Sequence, residues 1–278
     1  MQKINYPLIV SDFDGTLLRS DHTIAEETKR TIENYVAAGG HFAICTGRMT
    51  TGIINQAKSL GLKGLLASYQ GSVVSDIESG EILVDGFIPL PAAQRICRLL
   101  EGMNLHFHVY DIEDYYSNRQ DKLLEEYERI LMVKAIIEDQ KPLSELIVEK
   151  QMKVRKILCL VEPENKLSVY QKLQAALGEE FYVTYSAVSL VEITSKEYSK
   201  ATAVRFLADR YGVPYEKTVA IGDSLNDQPM IGAAGVGLAV GNADEYLKEL
   251  AEVFPATNDE NAVGKIIEKY GYYGDTDE

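Results

Sequence analysis

The chain has 278 residues, 46% hydrophobic and 25% charged, a composition that supports one large or two smaller globular domains with a sizeable core. Its formal net charge of −14 weighs against nucleic acid or an anionic membrane as the main partner, yet leaves room for a small anion held by a local cationic cluster. No apolar run approaches membrane length, no secretory leader pattern opens the chain, and three cysteines (Cys45, Cys97 and Cys159) without framework spacing indicate a reducing, cytoplasmic compartment.

In chain order, Leu8-Ile9-Val10 reads as a buried strand ending in Asp12-Phe13-Asp14-Gly15-Thr16. Residues two apart on an extended segment point the same way, so Asp12 and Asp14 are expected to face one small volume. Two anions so close require a cation, a shared proton or a reaction. Gly15 lets the chain turn and brings backbone N–H groups toward a bound anion. Alone, Asp-x-Asp also fits a solvated Asx turn. Thr23 and Glu26 have the spacing of a capping box for a helix whose Ile24, Thr28, Ile32, Tyr35 and Val36 share a face, closed by Gly39-Gly40. Phe42-Ala43-Ile44-Cys45 reads as a second buried strand, followed at once by Thr46-Gly47-Arg48. Arg48 fits either a site-stabilising role or a structural ion pair. A helix is expected from about Thr50 to Leu60, stopped by Gly61.

From 85 to 188 no comparable motif occurs, although the pattern stays that of a folded segment. Residues 95–100 read as helix, 119–138 as a charged helix, 154–161 as an apolar strand, 164–177 as helix and 181–193 as strand-rich. Leu105, Phe107 and Val109 alternate with His106, His108 and Tyr110, as in a strand buried on one face, which puts both histidines on its solvent side. Tyr110, Tyr115 and Tyr116 either line a substrate entrance or pack in a core, and 122–129 reads as a solvated helix face. Helices with a one-sided sheet indicate a small α+β domain. Beyond it, Ser199 reads as the N-cap of a helix opened by Lys200, with Val204, Leu207, Ala208 and Tyr211 on one face and Gly212 and Pro214 at its end. Val219-Ala220-Ile221 is a third buried strand, followed by Gly222-Asp223-Ser224-Leu225-Asn226-Asp227. The tail 271–278 reads as frayed and acidic.

In a parallel sheet the C-terminal strand ends lie along one edge, so Asp12, Asp14, Thr46, Asp223 and Asp227 should converge with Lys200. Three negative charges from Asp12, Asp223 and Asp227 balance the three positive charges of Mg2+ and Lys200. Magnesium suits such a pocket because it prefers oxygen ligands and keeps room for phosphate oxygens, and the four histidines lack metal-ligand spacing. A carboxylate held beside a metal-bound phosphoryl group can attack phosphorus to give an aspartyl-phosphate. The Thr46 hydroxyl, the Gly47 N–H and the Lys200 ammonium would hold the transferring oxygens.

Asp-Phe-Asp-Gly-Thr-Leu, Thr-Gly-Arg, the Lys200 helix and Gly-Asp-x-x-Asn-Asp resemble, in order, the four motifs of the haloacid dehalogenase-like phosphatases. Residues 237–243 and Thr257-Asn258-Asp259 resemble the tail of its Cof-type branch, so the likeness spans positions 12 to 259. The resemblance implies a doubly wound parallel-sheet (Rossmann-like) α/β core, at 1–84 and 189–278, with an inserted α+β cap domain at 85–188. It implies Asp12 as nucleophile and Asp14 as general acid/base whose carbonyl binds Mg2+. Asp223 becomes a metal ligand, Asp227 a ligand or its anchor, and Asn226 a phosphate contact beside the Phe13 and Gly15 backbone. Ala201, Gln70-Gly71 and Ala262-Val263 depart from common family residues without removing a charge from the catalytic set. The implied activity is hydrolysis of a small phosphorylated metabolite, with sugar phosphates, pyridoxal phosphate and flavin mononucleotide all open, and the cap choosing among them. A phosphomutase is the near alternative. A receiver-type signalling domain shares the carboxylates, threonine and lysine but needs neither Asp14 nor the long insert.

Overall fold

The computed structural model describes residues 3–59, 61–131, 133–186 and 189–273. The chain divides into two compact units, Met1–Gly47, Gln56–Val84 and Ser199–Glu278 forming one, and Arg48–Asn55 with Asp85–Tyr198 the other.

The first unit is built on an eight-stranded sheet. Across it the strands run Glu252–Val253, Val236–Ala239, Thr218–Gly222, Leu8–Ser11, His41–Cys45, Leu65–Ser68, Val73–Asp76 and Ile82–Asp85. The first six pair in parallel, and Val73–Asp76 turns back antiparallel on Leu65–Ser68. Leu8, Ile9 and Val10 are fully buried because helices cover both faces, which explains an uninterrupted apolar run where a half-exposed strand would alternate. The chain winds outward from Leu8–Ser11 through His41–Cys45, then returns to add Thr218–Gly222 on the other flank, in register at Ser11↔Ile221 and Ser11↔Ile44. That reversal is the point where open α/β sheets gather ligand-binding loops.

The helices follow the expected faces, with local differences. Glu26–Ala37 buries Thr28, Ile32 and Tyr35, but Val36 lies 44% exposed. No capping box forms there: the Thr23 N–H and hydroxyl donate to the Asp21 carboxylate in an Asx turn, and Ala25 precedes the first helical residue. Thr50–Ser59 is helical, with Gly61 at φ 72°; the expected end at Leu60 lies outside the described residues. The terminal residues 271–273 are tied down, since Asn5 N–H donates to the Gly271 carbonyl and Tyr273 N–H to that of Lys3. The rest of the tail, 274–278, lies outside the described residues.

The second unit carries a six-stranded sheet in the order Phe181–Ser186, Leu190–Ser195, Lys156–Leu160, His106–Tyr110, Tyr115–Ser117 and Ile136–Ile137. Helices Leu90–Gly102, Leu143–Glu149 and Lys166–Leu177 cover one face, around Ile96, Leu100, Ile147, Leu173, Phe107 and Ile193. Strand Leu190–Ser195 pairs within this sheet, so the insert returns near Tyr198 and not at 188, a position that itself lies outside the described residues.

The other sheet face corrects two expectations. His106 and His108 are buried, not solvated. Asp121 Oδ2 lies 2.8 Å from His106 Nδ1, Ser117 Oγ lies 3.0 Å from His106 Nε2, and the Tyr110 and Tyr127 hydroxyls are 2.7 Å apart. Burial, with help from His106 and Lys156, holds the His108 pKa well below its ordinary value. Tyr110 and Tyr115 stack at 5.0 Å and are buried, while Tyr116 is half-buried. The stretch 119–138 is not one helix. Asp121 Oδ1 accepts from Leu124 N–H at the start of Lys122–Leu131. Buried Glu128 turns back to bind Lys134 Nζ and Ala135 N–H, which frees Ile136–Ile137 to pair as a strand. The helix is therefore solvated at Lys122, Glu125 and Arg129 but not at Glu128.

Buried Arg155 joins the start of the second unit to its sheet: Nη2 donates to Asp85 at 2.5 Å, and Nη1 to Asp111 at 2.7 Å. Arg155→Ala should cost ~2 kcal/mol, because a buried guanidinium loses its hydrogen bonds and packing while Asp85 and Asp111, each about a third exposed, are left to water. Urea melts of the variant check this, and a midpoint equal to wild type would contradict it.

Candidate active site

Asp12 follows the central strand in extended conformation, and its N–H donates to the Ile221 carbonyl at 2.8 Å. That bond carries the sheet ladder one residue past the end of Leu8–Ser11 and fixes where the carboxylate emerges. Lys200 approaches from the first turn of helix Lys200–Tyr211, which is capped reciprocally by Ser199 and Thr202. A cation at a helix N-terminus is disfavoured by the dipole. Here two carboxylates offset that cost, as Lys200 Nζ donates to Asp12 Oδ1 and to Asp227 Oδ1, each at 2.5 Å. All three side chains are buried.

Asp227 is held by the loop it closes. Its Oδ2 accepts from the Asp223 N–H at 2.8 Å and the Ser224 N–H at 3.0 Å. A Cβ at Gly222 would collide with the Asp227 side chain, so glycine is required before Asp223. Asp223 Oδ1 accepts from the Thr16 hydroxyl at 2.6 Å. Gly15, at φ 74°, gives Asp223 the same clearance: a Cβ there would lie 2.6 Å from Asp223 Oδ2.

The result is a crowded anion cluster. Single carboxylate oxygens of Asp12, Asp223 and Asp227 lie within 4.8 Å of one another. Burial, then the Asp227 charge, pushes the Asp12 pKa up to about 8 against the pull of Lys200. Burial and the charges of Asp227 and Asp12 likewise hold Asp223 well above the usual carboxylate range. Burial alone would lower Lys200, but Asp12 and Asp227 outweigh it and raise the ammonium well above its ordinary value. One buried lysine leaves this set short of positive charge, and its donors are hard oxygens, so it fits a hard divalent cation.

Asp14 stands apart from this cluster. The chain coils over Phe13–Leu17 directly after Asp12, Leu18 N–H donates to the Phe13 carbonyl, and Asp14 is exposed while Phe13 is buried. Its charge is still felt at Asp12. Asp14 and Gly15 line an open cleft of about 380 Å3 with Arg19, His22, Asn242 and Asp259. Simple alternation along an extended strand therefore does not describe the pair.

Thr46 is buried beside the cluster's strand, its N–H donating to the Ala67 carbonyl, and Gly47 follows it. Arg48 is half-buried and belongs by its contacts to the second unit. Asn226 is buried, and its Nδ2 donates to Gln70 Oε1 at 3.2 Å. Several supporting contacts left no local trace in the sequence. Thr16 meets Asp223 across 207 positions, and Asn242 Nδ2 donates to the Gly15 carbonyl at 2.7 Å across 227. Asn258 passes the brace on, its N–H to Asn242 Oδ1 and its Nδ2 to the Leu18 carbonyl, each at 2.8 Å. The only hint was the likeness of both asparagines to a family tail.

A sequence profile of haloacid dehalogenase-like hydrolases matches residues 9–267. The phosphatase YwpJ of Bacillus subtilis is 29% identical over 280 residues, covering 94% of this chain and 98% of that protein. The 5-amino-6-(5-phospho-D-ribitylamino)uracil phosphatase YitU of the same species is 28% identical, covering 95% and 97%. A solved haloacid dehalogenase-like hydrolase from B. subtilis superposes with a TM-score of 0.85 at 27% identity, covering 94% of this chain and 99% of the other. With nearly its whole length matched in sequence and in fold, the chain belongs to the haloacid dehalogenase-like hydrolase family, in its Cof-type branch.

Proposed function

We propose that this hydrolase is a magnesium-dependent phosphatase that cleaves small phosphorylated metabolites through an aspartyl-phosphate on Asp12. The observation that carries the reading is the buried Lys200 shared by Asp12 and Asp227, with Asp223 alongside, at the reversal of the sheet. Such a cluster repels itself unless a further cation completes it, and that cation can in turn hold the oxygens of a phosphoryl group.

Asp12 and Asp223, with the Asp14 carbonyl and with Asp227 as ligand or anchor, would hold Mg2+. When bound, the ion supplies positive charge that draws in phosphate oxygens and keeps Asp12 ionised for attack. The Lys200 ammonium, the Thr46 hydroxyl, the Gly47 N–H and Asn226 would hold the transferring oxygens, with the Phe13 and Gly15 backbone alongside. Asp12 attacks phosphorus, and the bond from phosphorus to the leaving oxygen breaks as Asp14 delivers its proton to that oxygen. Asp14 then takes a proton from water, which attacks phosphorus and returns Asp12 as a free carboxylate with inorganic phosphate. Exposure suits Asp14 to this duty, because its carboxyl must meet first the leaving oxygen and then the incoming water.

The second unit contributes none of these groups and is left the choice of leaving group. YitU, named for a phosphoribityl aminouracil, is consistent with a metabolite bearing a flat or polyol leaving group.

Asp12→Asn keeps the shape and removes the attacking anion, so turnover should fall about a thousandfold, ~4 kcal/mol of barrier. Phosphate release measured on the purified variant checks this; a near-normal rate would end the mechanism.

Metal and pH should be linked. A folded-state pKa of about 8 for Asp12, against 3.8 as the ordinary value, means the metal-free fold binds more protons than the unfolded chain between those pH values. Stability of the metal-free protein should therefore fall as pH rises through that window. Mg2+ displaces protons from the same carboxylates, so it should raise the melting temperature more at about pH 8 than at about pH 5. Melting curves in EDTA and in Mg2+ at both pH values decide the point. Equal shifts would remove the cluster from metal binding.

A further inference from the structure

The segment Tyr69-Gln70-Gly71 is the most strained backbone near the site. Three successive residues take positive φ, at 51°, 59° and 91°, and two of them carry side chains. Such conformations persist only where surrounding contacts over-determine them, and here those contacts can be named. The Gln70 N–H donates to the Thr46 carbonyl at 3.0 Å. A Cβ on Gly71 would collide with the Ser199 carbonyl, one residue before Lys200. A Cβ on Gly47 would lie 2.5 Å from Gln70 Nε2, so the Gln70 carboxamide occupies the space beside the Gly47 backbone. Its Oε1 accepts from Asn226 Nδ2. One three-residue turn thus touches the loops of Thr46, Lys200 and Asn226.

Gln70 is fully buried, yet among the described residues its Nε2 has no hydrogen-bond partner, and neither has Asn226 Oδ1. An unmatched buried amide N–H costs about 1–3 kcal/mol, too much to keep without use. Rotating both amides together preserves the bond between them and still leaves one NH2 group over. Either way the pair presents a buried donor between the Gly47 backbone and Asn226.

We propose that Gln70 is a further phosphoryl-binding residue: with Asn226 it supplies a buried amide N–H to an oxygen of the bound phosphoryl group. The inference rests on the phosphatase reading above. The strained turn and the length of the glutamine side chain together carry the amide from the Gly71 turn to Asn226.

The informative variants are Gln70→Glu and Gln70→Met in the full chain. Glutamate keeps the shape and the acceptor that Asn226 Nδ2 uses but exchanges the spare donor for negative charge, whereas methionine removes the amide without adding charge. If Gln70 merely packs, the neutral variant Gln70→Met should bind phosphate within about twofold of wild type. If it donates to the phosphoryl group, the constant for competitive inhibition by inorganic phosphate should rise about tenfold in both variants, read against hydrolysis of p-nitrophenyl phosphate. A folded Gln70→Met protein with wild-type phosphate inhibition overturns the proposal. Should neither variant fold, the Gln70 side-chain amide signal of wild type is followed by NMR during titration with inorganic phosphate. A shift on saturation supports the proposal, and an unmoved signal overturns it. A wild-type protein that releases no phosphate from any ester counts against the phosphatase reading instead, and the same titration still tests Gln70.

Discussion

Lys200 held between Asp12 and Asp227 is the constraint on which the rest of the first unit turns. Isolated charges in a protein interior are costly, and a pair repays that cost only with close geometry and further hydrogen bonds. Each member here meets that condition from a different part of the chain. Asp12 is fixed by the backbone bond to Ile221, Asp227 by the N–H groups of its own loop, and Lys200 by a doubly capped helix start. The cluster does not earn its place by stabilising the fold, since three carboxylates around one lysine oppose folding wherever they ionise. Its persistence is intelligible as preorganisation for a ligand that brings cationic charge.

The topology makes this assembly possible at low cost in chain length. The sheet reverses its winding at Leu8–Ser11, so the strands before Thr46 and Asp223 are both immediate neighbours of the strand before Asp12. Close approach is then limited by backbone bulk. Gly15, Gly47, Gly71 and Gly222 each stand where a Cβ would strike a group of the site or of its supporting loops. Glycine at these places is a matter of volume, and at Gly15 and Gly71 of positive φ as well.

How much of this could be read beforehand depended on range. Leu8-Ile9-Val10 and Val219-Ala220-Ile221 announced buried strands because burial on both faces leaves no polar alternation, and the loops after them carried their charges in sequence. Lys200 was legible through its cap. The brace from Asn242 and Asn258 to the Asp14 loop was not, because its partners lie more than two hundred residues apart and no local pattern encodes the pairing. The histidines of His106–Tyr110 misled for a different reason. Alternation marks two unlike faces but does not say whether the polar one meets water, and here Asp121, Ser117 and Tyr127 complete a buried polar network. The capping signal at Thr23 failed because Asp21, two residues earlier, offered a nearer acceptor.

Two aspartates of identical chemistry, separated by one phenylalanine, end in opposite environments. The chain coils straight after Asp12, burying Phe13 under the sheet edge and turning Asp14 out to solvent. Burial penalises charge at Asp12 until a cation compensates it, so its reactivity can be tied to the loading of the site. Asp14 lies beyond that desolvated cluster, so in the proposed mechanism its proton moves apart from the groups that hold the transferring oxygens. A straight strand would have put both side chains in one environment, and with them the nucleophile and the proton shuttle of the proposed mechanism. The coil separates the two carboxylates, and it turns at Gly15, whose φ is 74° and whose carbonyl accepts a hydrogen bond from Asn242.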